Sequence, residues 1–192
     1  MKRKRIGIFG GSFNPVHSGH MMLASYIAQT GEVDEVWMVM SPCNPLKDGV
    51  EMASESDRLN MLNLACEDVD FLKVSDIELS LPRPSYTIDT LKALRKLHPD
   101  IDFRLIVGSD NLAIFDKWKD SETILNEYGL IVYPRPDYSI DDFHDERVTI
   151  VDAPVLQISS TFIRQAISDG KDMNFFVPQK VYQYIRNHKL YK

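Results

Sequence analysis

Cysteine is scarce in this chain. Two occur in 192 residues, Cys43 and Cys66, far apart and without a CxxC spacing. That excludes a disulfide framework and a zinc site of the usual pattern, and it points to reduced thiols in a cytoplasmic protein. Long apolar runs are missing too. No stretch approaches the length of a membrane span, and the four apolar residues Ile6–Phe9 are too few for a signal peptide's apolar region. Positive charge is in deficit. The net charge of −6 excludes a nucleic-acid footprint over the whole surface. A local cationic pocket for an anionic small molecule remains open. Low-complexity segments and internal repeats are absent. So are the two common phosphate-loop signatures: no GK[ST] follows the first glycines, and no GxGxxG is formed.

What is present is ordinary material for a folded domain, with 44% apolar and 26% charged residues. Short apolar runs alternate with helical patterns. Strands are expected at 6–9, 35–40, 71–76, 103–107, 129–133 and 147–151. Helices are expected at 19–30, 54–68, 86–98, 121–127, 161–169 and 178–188, with Gly170 and Pro178 as stop and start signals. Continuous apolar strands separated by helices imply an α/β fold with a parallel sheet covered on both faces. Such sheets bind ligands at the carboxyl ends of their strands. Pro134–Glu146 reads as a polar surface excursion. The length suits one domain over 1–192.

The first loop at that edge is GGSFNPVHSGH, Gly10 to His20. Gly10 and Gly11 permit close backbone approach to a ligand. His17 and His20 stand three residues apart where a strand becomes a helix. Amides at a helix start attract anions, and imidazoles there can bind phosphate oxygens, a protonated one adding charge stabilisation. Gly19 leaves room for a nucleotide against the backbone. Late in the chain comes ISSTFIR, Ile158 to Arg164. Three hydroxyls, Ser159, Ser160 and Thr161, open a helix there. Arg164 falls on the same side as Ser160, where its fork suits phosphate.

These two motifs resemble the HxGH nucleotidyltransferase superfamily, with its GG(T/S)F(D/N)PxHxGH loop and ISSTxIR segment. Between them, Ser85–Leu91 (SYTIDTL) and Gly108–Asn111 followed by Trp118 resemble the nicotinate mononucleotide adenylyltransferases. The resemblance covers about 6 to 187. It implies a Rossmann-like nucleotidyltransferase fold. The implied reaction is ATP plus nicotinate mononucleotide giving deamido-NAD and pyrophosphate, in NAD biosynthesis. His17, His20 and Arg164 are then catalytic. ATP would meet Gly10, Gly11, Ser12, Phe13, Gly19, Lys47, Gly108, Asp110, Ile158, Ser159, Ser160 and Thr161. Nicotinate mononucleotide would meet Ser12, Phe13, Lys47, Tyr86, Thr87 and Trp118, with Trp118 offering a flat face to the pyridine ring and Thr87 meeting the carboxylate.

Mg²⁺ would arrive with ATP, held by phosphate oxygens and water, because no dense carboxylate cluster would hold it alone. No protein metal site, nucleic acid or membrane partner is expected. The part from about 158 to 192 would complete the nucleotide site. A homo-oligomer is compatible with the sequence, which does not set the oligomeric state. One segment departs from the family pattern: PPHK is replaced by NPLK, Asn44 to Lys47, without the histidine. Alternatives are adenylyl transfer to nicotinamide mononucleotide or phosphopantetheine, or a catalytically silent nucleotide-binding sensor.

Overall fold

A computed structural model describes residues 3–42, 52–140 and 143–192. The expected alternation of strands and helices is found throughout. The strands are β1 (Lys4–Gly11), β2 (Glu35–Met40), β3 (Leu72–Ser75), β4 (Ile101–Gly108), β5 (Leu130–Tyr133) and β6 (Val148–Ile150). They form one sheet in the order β3-β2-β1-β4-β5-β6, and every pairing is parallel. The helices are α1 (Ser18–Gln29), α2 (Glu55–Cys66), α3 (Thr87–Leu97), α4 (Ser109–Leu112), α5 (Ser121–Glu127), α6 (Ser160–Ser168) and α7 (Gln179–Asn187).

The central strands are apolar on both faces, and alternate residues feed two separate cores. Phe9, Val36, Met38, Met40, Ile106, Ile131 and Tyr133 pack with buried residues of α1, α2, α6 and α7. Ile6, Ile8, Val39, Leu105, Val107, Leu130 and Val132 pack with Ile88, Leu91 and Leu94 of α3 and Ile124 of α5. Gly7 allows close packing against the sheet, since a Cβ there would stand 2.6 Å from Ile106 Cδ1 and make that side chain shift.

The strand order reverses between β1 and β4. The crevice at that switch is where the fold offers a ligand site. The loops after β1 and β4 both open there. At the end of the chain, α7 buries Val181 and Ile185 and lies across α2. There Tyr184 donates to Asp57 at 2.9 Å and accepts from Asn60 at 3.1 Å.

Candidate active site

A cleft of about 540 Å³ opens at the switch point. Its floor is the end of β1 and the loop that follows, Phe9 to Asn14, with His17, Gly19 and His20. One wall is Ile158–Thr161 with Arg164, and the other is Tyr133–Pro136. The glycine-histidine loop and the serine-threonine helix start, 140 residues apart in sequence, therefore share one cavity.

The two histidines cap their own helix. His17 is the N-cap of α1, and its Nδ1 accepts from the backbone N–H of His20 at 3.4 Å. In return the backbone N–H of His17 donates to His20 Nδ1 at 3.2 Å. This is the capping-box arrangement built from imidazoles instead of Ser and Glu. The rings stack with centroids 3.6 Å apart. With Nδ1 accepting in both rings, the ring proton sits on Nε2 in both, so each neutral ring keeps one donor for the cleft. Burial lowers the pKa of His17 to about 4, assisted by the Arg135 guanidinium. His20 is held well below its ordinary value by burial, then by His17 and Arg135. Both rings are thus neutral donors near pH 7. The added charge of a protonated imidazole is absent in this state.

Gly19 has a role beyond the one its sequence context suggests. A Cβ there would meet the His17 ring at 3.1 Å. The missing side chain makes room for the imidazole, and Gly19 also lines the cleft. Gly10 is the open glycine, with nothing within 4 Å of a Cβ. The Phe13 ring is buried in the core, edge-on to His20 at 5.1 Å. Only its backbone is left to face a ligand, and that backbone is left-handed, with φ +44°.

The late motif clamps the early loop. Ser160 donates to the Pro15 carbonyl at 2.9 Å. One turn on, Arg164 donates to the Asn14 carbonyl at 2.8 Å and to Thr161 at 3.3 Å. Ser159 is the N-cap of α6 and accepts from Phe162 N–H at 3.1 Å. Ser160 and Arg164 do lie on one side of the helix, as their spacing predicts.

Gly108, Asp110, Tyr86, Thr87 and Trp118 do not line this cleft. Asp110 borders it through Arg135, its carboxylate 3.7 Å from the guanidinium. Tyr86 and Thr87 sit at the start of α3, where Tyr86 is the N-cap without a side-chain bond. Lys119, beside Trp118, lies over the Tyr86 ring at 4.4 Å and pairs with Asp89 at 2.8 Å. Trp118 is half-buried and packs on Phe115 at 5.4 Å, against the second core. Tyr86, Thr87 and Trp118 thus form a separate group on the α3 side, whereas Gly108 and Asp110 stay beside Arg135 at the cleft's border. Lys47 and the NPLK departure lie outside the described residues.

Three contributors were not singled out from sequence. Arg135 lies in the stretch read as a surface excursion, but Pro134–Pro136 form a wall of the cleft. It directly follows β5 at the sheet's ligand edge, and that position is the signal that identifies it. Asn14 is buried, and its Oδ1 accepts from Ala53 N–H at 3.1 Å and from the Tyr191 hydroxyl at 2.8 Å. Arg58 is buried beneath the loop and donates to two backbone carbonyls. Among the described residues, no group of three or more His, Cys, Asp or Glu side chains forms a metal cage. No helix among them is long and apolar enough to cross a membrane.

Comparison with known proteins agrees with this geometry. The cytidylyltransferase-like family matches residues 8–166. A Bacteroides thetaiotaomicron protein named "Probable nicotinate-nucleotide adenylyltransferase" is 47% identical over 185 residues, covering 96% of this chain and 92% of its own. A Flavobacterium johnsoniae protein of the same name is 41% identical, covering 98% and 99%. The solved structure of Plasmodium falciparum nicotinic acid mononucleotide adenylyltransferase complexed with NaAD superposes with a TM-score of 0.80. It is 24% identical and covers 98% of this chain and 97% of that one. At that identity the likeness speaks for the fold. With its family match spanning the sheet and both the glycine-histidine loop and the ISSTFIR segment, and with relatives alike over nearly their whole length, the chain belongs to the nicotinate-nucleotide adenylyltransferases of the cytidylyltransferase-like family.

Proposed function

We infer that this chain transfers the adenylyl group of ATP to nicotinate mononucleotide, giving deamido-NAD and pyrophosphate in NAD biosynthesis. The observation that carries the reading is the meeting of the paired-histidine helix start with Ser160 and Arg164 in one cleft. A phosphate oxygen of the mononucleotide attacks the α-phosphorus of ATP. The bond from that phosphorus to the bridging oxygen breaks, and pyrophosphate leaves with the electron pair. The attacking phosphate is already anionic near neutral pH, so no strong base is needed. Catalysis then rests on alignment and on donors aimed at developing charge.

In this reading the Nε2–H groups of His17 and His20 hold the α-phosphoryl oxygens through the transition state. Arg164, Thr161, and Lys47 from outside the described residues, balance the leaving pyrophosphate. Gly10, Gly11, Ser12 and the Phe13 backbone take phosphate close to the main chain. Asp110 beside Gly108 accepts ribose hydroxyls, and Tyr86, Thr87 and Trp118 receive the nicotinate half. Residues 1–192 act as one nucleotidyltransferase domain, with the helical part from about 158 completing the nucleotide site.

Adenylyl transfer from ATP implies a divalent cation, and we take it to be Mg²⁺. The donor set does not form a cage for it. The carboxylate bordering the cleft, Asp110, already faces Arg135. The cation would travel on triphosphate oxygens and water.

The test is an acceptor panel: purified protein, ATP and Mg²⁺ with nicotinate mononucleotide, nicotinamide mononucleotide or phosphopantetheine, assayed for pyrophosphate and product. Strong preference for the first is expected. Equal use of the amide would remove the role given to Thr87. Nucleotide binding with no product from any acceptor would replace catalysis by a sensor.

A further inference from the structure

Among the described residues, the most buried charged side chain lies directly behind the anion loop. Arg58, in the second turn of α2, is 1% exposed. Its Nη1 donates to the Ser12 carbonyl at 2.7 Å and to the Ser41 carbonyl at 2.8 Å. The ladder between β1 and β2 ends at the pair Gly11–Met40. Ser41 N–H still reaches the Gly11 carbonyl at 2.9 Å. Ser12 and Ser41 are thus the first residues past the end of the ladder, and their carbonyls would be part-buried acceptors without a ladder partner. Arg58 supplies that partner to both at once. It ties the carboxyl ends of two neighbouring strands together at the ligand edge of the sheet.

The tie has a directional consequence. In a trans peptide the carbonyl and the following N–H point opposite ways. Fixing the Ser12 carbonyl inward, on Arg58, turns the Phe13 N–H away from Arg58. Ser12 and Phe13 both line the cleft. Phe13 is also held in the left-handed region at φ +44°, a strained setting for a ring-bearing residue that the surroundings must enforce. A buried guanidinium behind the loop also places a fixed positive charge on the protein side of an anion site.

We propose that Arg58 is a positioning residue for phosphate binding: by holding the Ser12 and Ser41 carbonyls it aims the Ser12–Phe13 peptide N–H into the cleft. The inference rests on the cleft being the phosphate site. It makes Arg58 part of the machinery without contact to substrate.

The experiment uses the full chain with two variants, Arg58→Lys and Arg58→Met. Lys keeps a donor for a carbonyl, whereas Met keeps the stem and no donor. Thermal unfolding reports the fold. Calorimetry with inorganic tripolyphosphate reports the anion site, and steady-state rates with ATP and nicotinate mononucleotide report turnover. For folded Arg58→Met, tripolyphosphate affinity is expected to fall about tenfold, the scale of one lost charged hydrogen bond. KM for ATP should rise and kcat should drop, with Arg58→Lys intermediate. If the Met variant does not fold, the Lys variant decides alone by a loss greater than twofold. A folded variant with tripolyphosphate affinity, kcat and KM all within twofold of the parent would overturn the proposal and leave Arg58 a purely structural residue. Should the parent make no dinucleotide yet bind tripolyphosphate with an affinity that falls in the Arg58 variants, the activity reading fails and this one stands.

Discussion

Single atoms decide much of this site. Gly19 is the second residue of α1, in its first turn, where alanine gains less over glycine than the roughly 1 kcal/mol of a helix interior. Its Cβ would nevertheless press on the His17 ring at 3.1 Å. Gly19→Ala is therefore expected to lower the melting temperature only modestly, by weakening the His17 cap by about 1 kcal/mol, while the displaced imidazole lowers kcat by about tenfold or more. Unfolding and turnover measured on one sample separate the two effects, and a variant with parental kcat would show that the His17 position is not critical. The same histidines set a pH response. An unfolded imidazole titrates near 6.5, whereas His17 in the fold titrates at about 4 and His20 also lies well below its ordinary value. Between those values the unfolded chain binds more protons, so stability is full above pH 6.5 and declines as the pH falls. The melting temperature should drop from pH 6.5 to 5, before ordinary carboxylates protonate. Imidazole resonances followed by NMR should show His17 neutral, with its proton on Nε2, at pH 6. A normal His17 titration near 6.5 would contradict the burial argument.

Elements were legible wherever periodicity and punctuation agreed. EVWMVM is β2 from Glu35 to Met40, as its apolar run predicts, and α5 spans Ser121–Glu127 as expected. β1 and β4 run longer than their apolar cores, because the parallel ladder continues through Lys4 and Gly11 and through Ile101 and Gly108. The short helix α4 and the 3₁₀ turns at Ile77–Ser80 and Phe115–Lys117 were not legible, since a single turn carries no period. Arg58 was hidden for a related reason. A charged residue on a helix reads as solvated, and its carbonyl partners Ser12 and Ser41 are remote in sequence. Asn14 was hidden too, because its partner Tyr191 lies 177 positions away. That link ties the segment after α7 to the Gly10–His20 loop, and α7, which seats that segment, gives a graded prediction. Ile185 is buried between α7 and the first core, so Ile185→Ala should cost about 2–4 kcal/mol. Lys180 pairs with Glu67 and Asp68 at the surface, so Lys180→Ala should cost under about 1 kcal/mol. Denaturant unfolding of both variants measures the difference, and equal losses would mean that charge rather than packing seats the helix.

At the scale of the molecule, the last third of the chain belongs to the same cooperative unit as the first strand. Ile163 and Ala166 of α6, then Met173, Val177, Val181 and Ile185, are buried in one cluster with Phe9, Val36, Met38 and Met40. Ser18 N–H donates to the Phe176 carbonyl at 2.9 Å, which fixes the start of α1 from the C-terminal side. Removing residues 158–192 would therefore do two things at once. It would delete Ser160 and Arg164 from the cleft, and it would expose the apolar side of β1 and β2 to water. At about 25 cal/mol per Å² of uncovered apolar surface, even a few hundred Å² exceeds the marginal stability of an ordinary domain. A chain of residues 1–157 is expected to lack a cooperative thermal transition and to bind ATP no better than the unfolded parent. The intact chain should unfold in a single transition, with calorimetric and van't Hoff enthalpies in agreement. The first core lies on one face of the sheet and the second on the other, and every central strand contributes to both. Loss of one face therefore removes half the support of each strand that the other face needs. Two resolved transitions in the intact chain, or a cooperatively folded 1–157 fragment, would show that the sheet and α3–α5 stand alone and that the C-terminal helices are an added cover. The distinction bears on function, because only a shared unit ties the Ser160–Arg164 end of α6 rigidly to the paired histidines of α1.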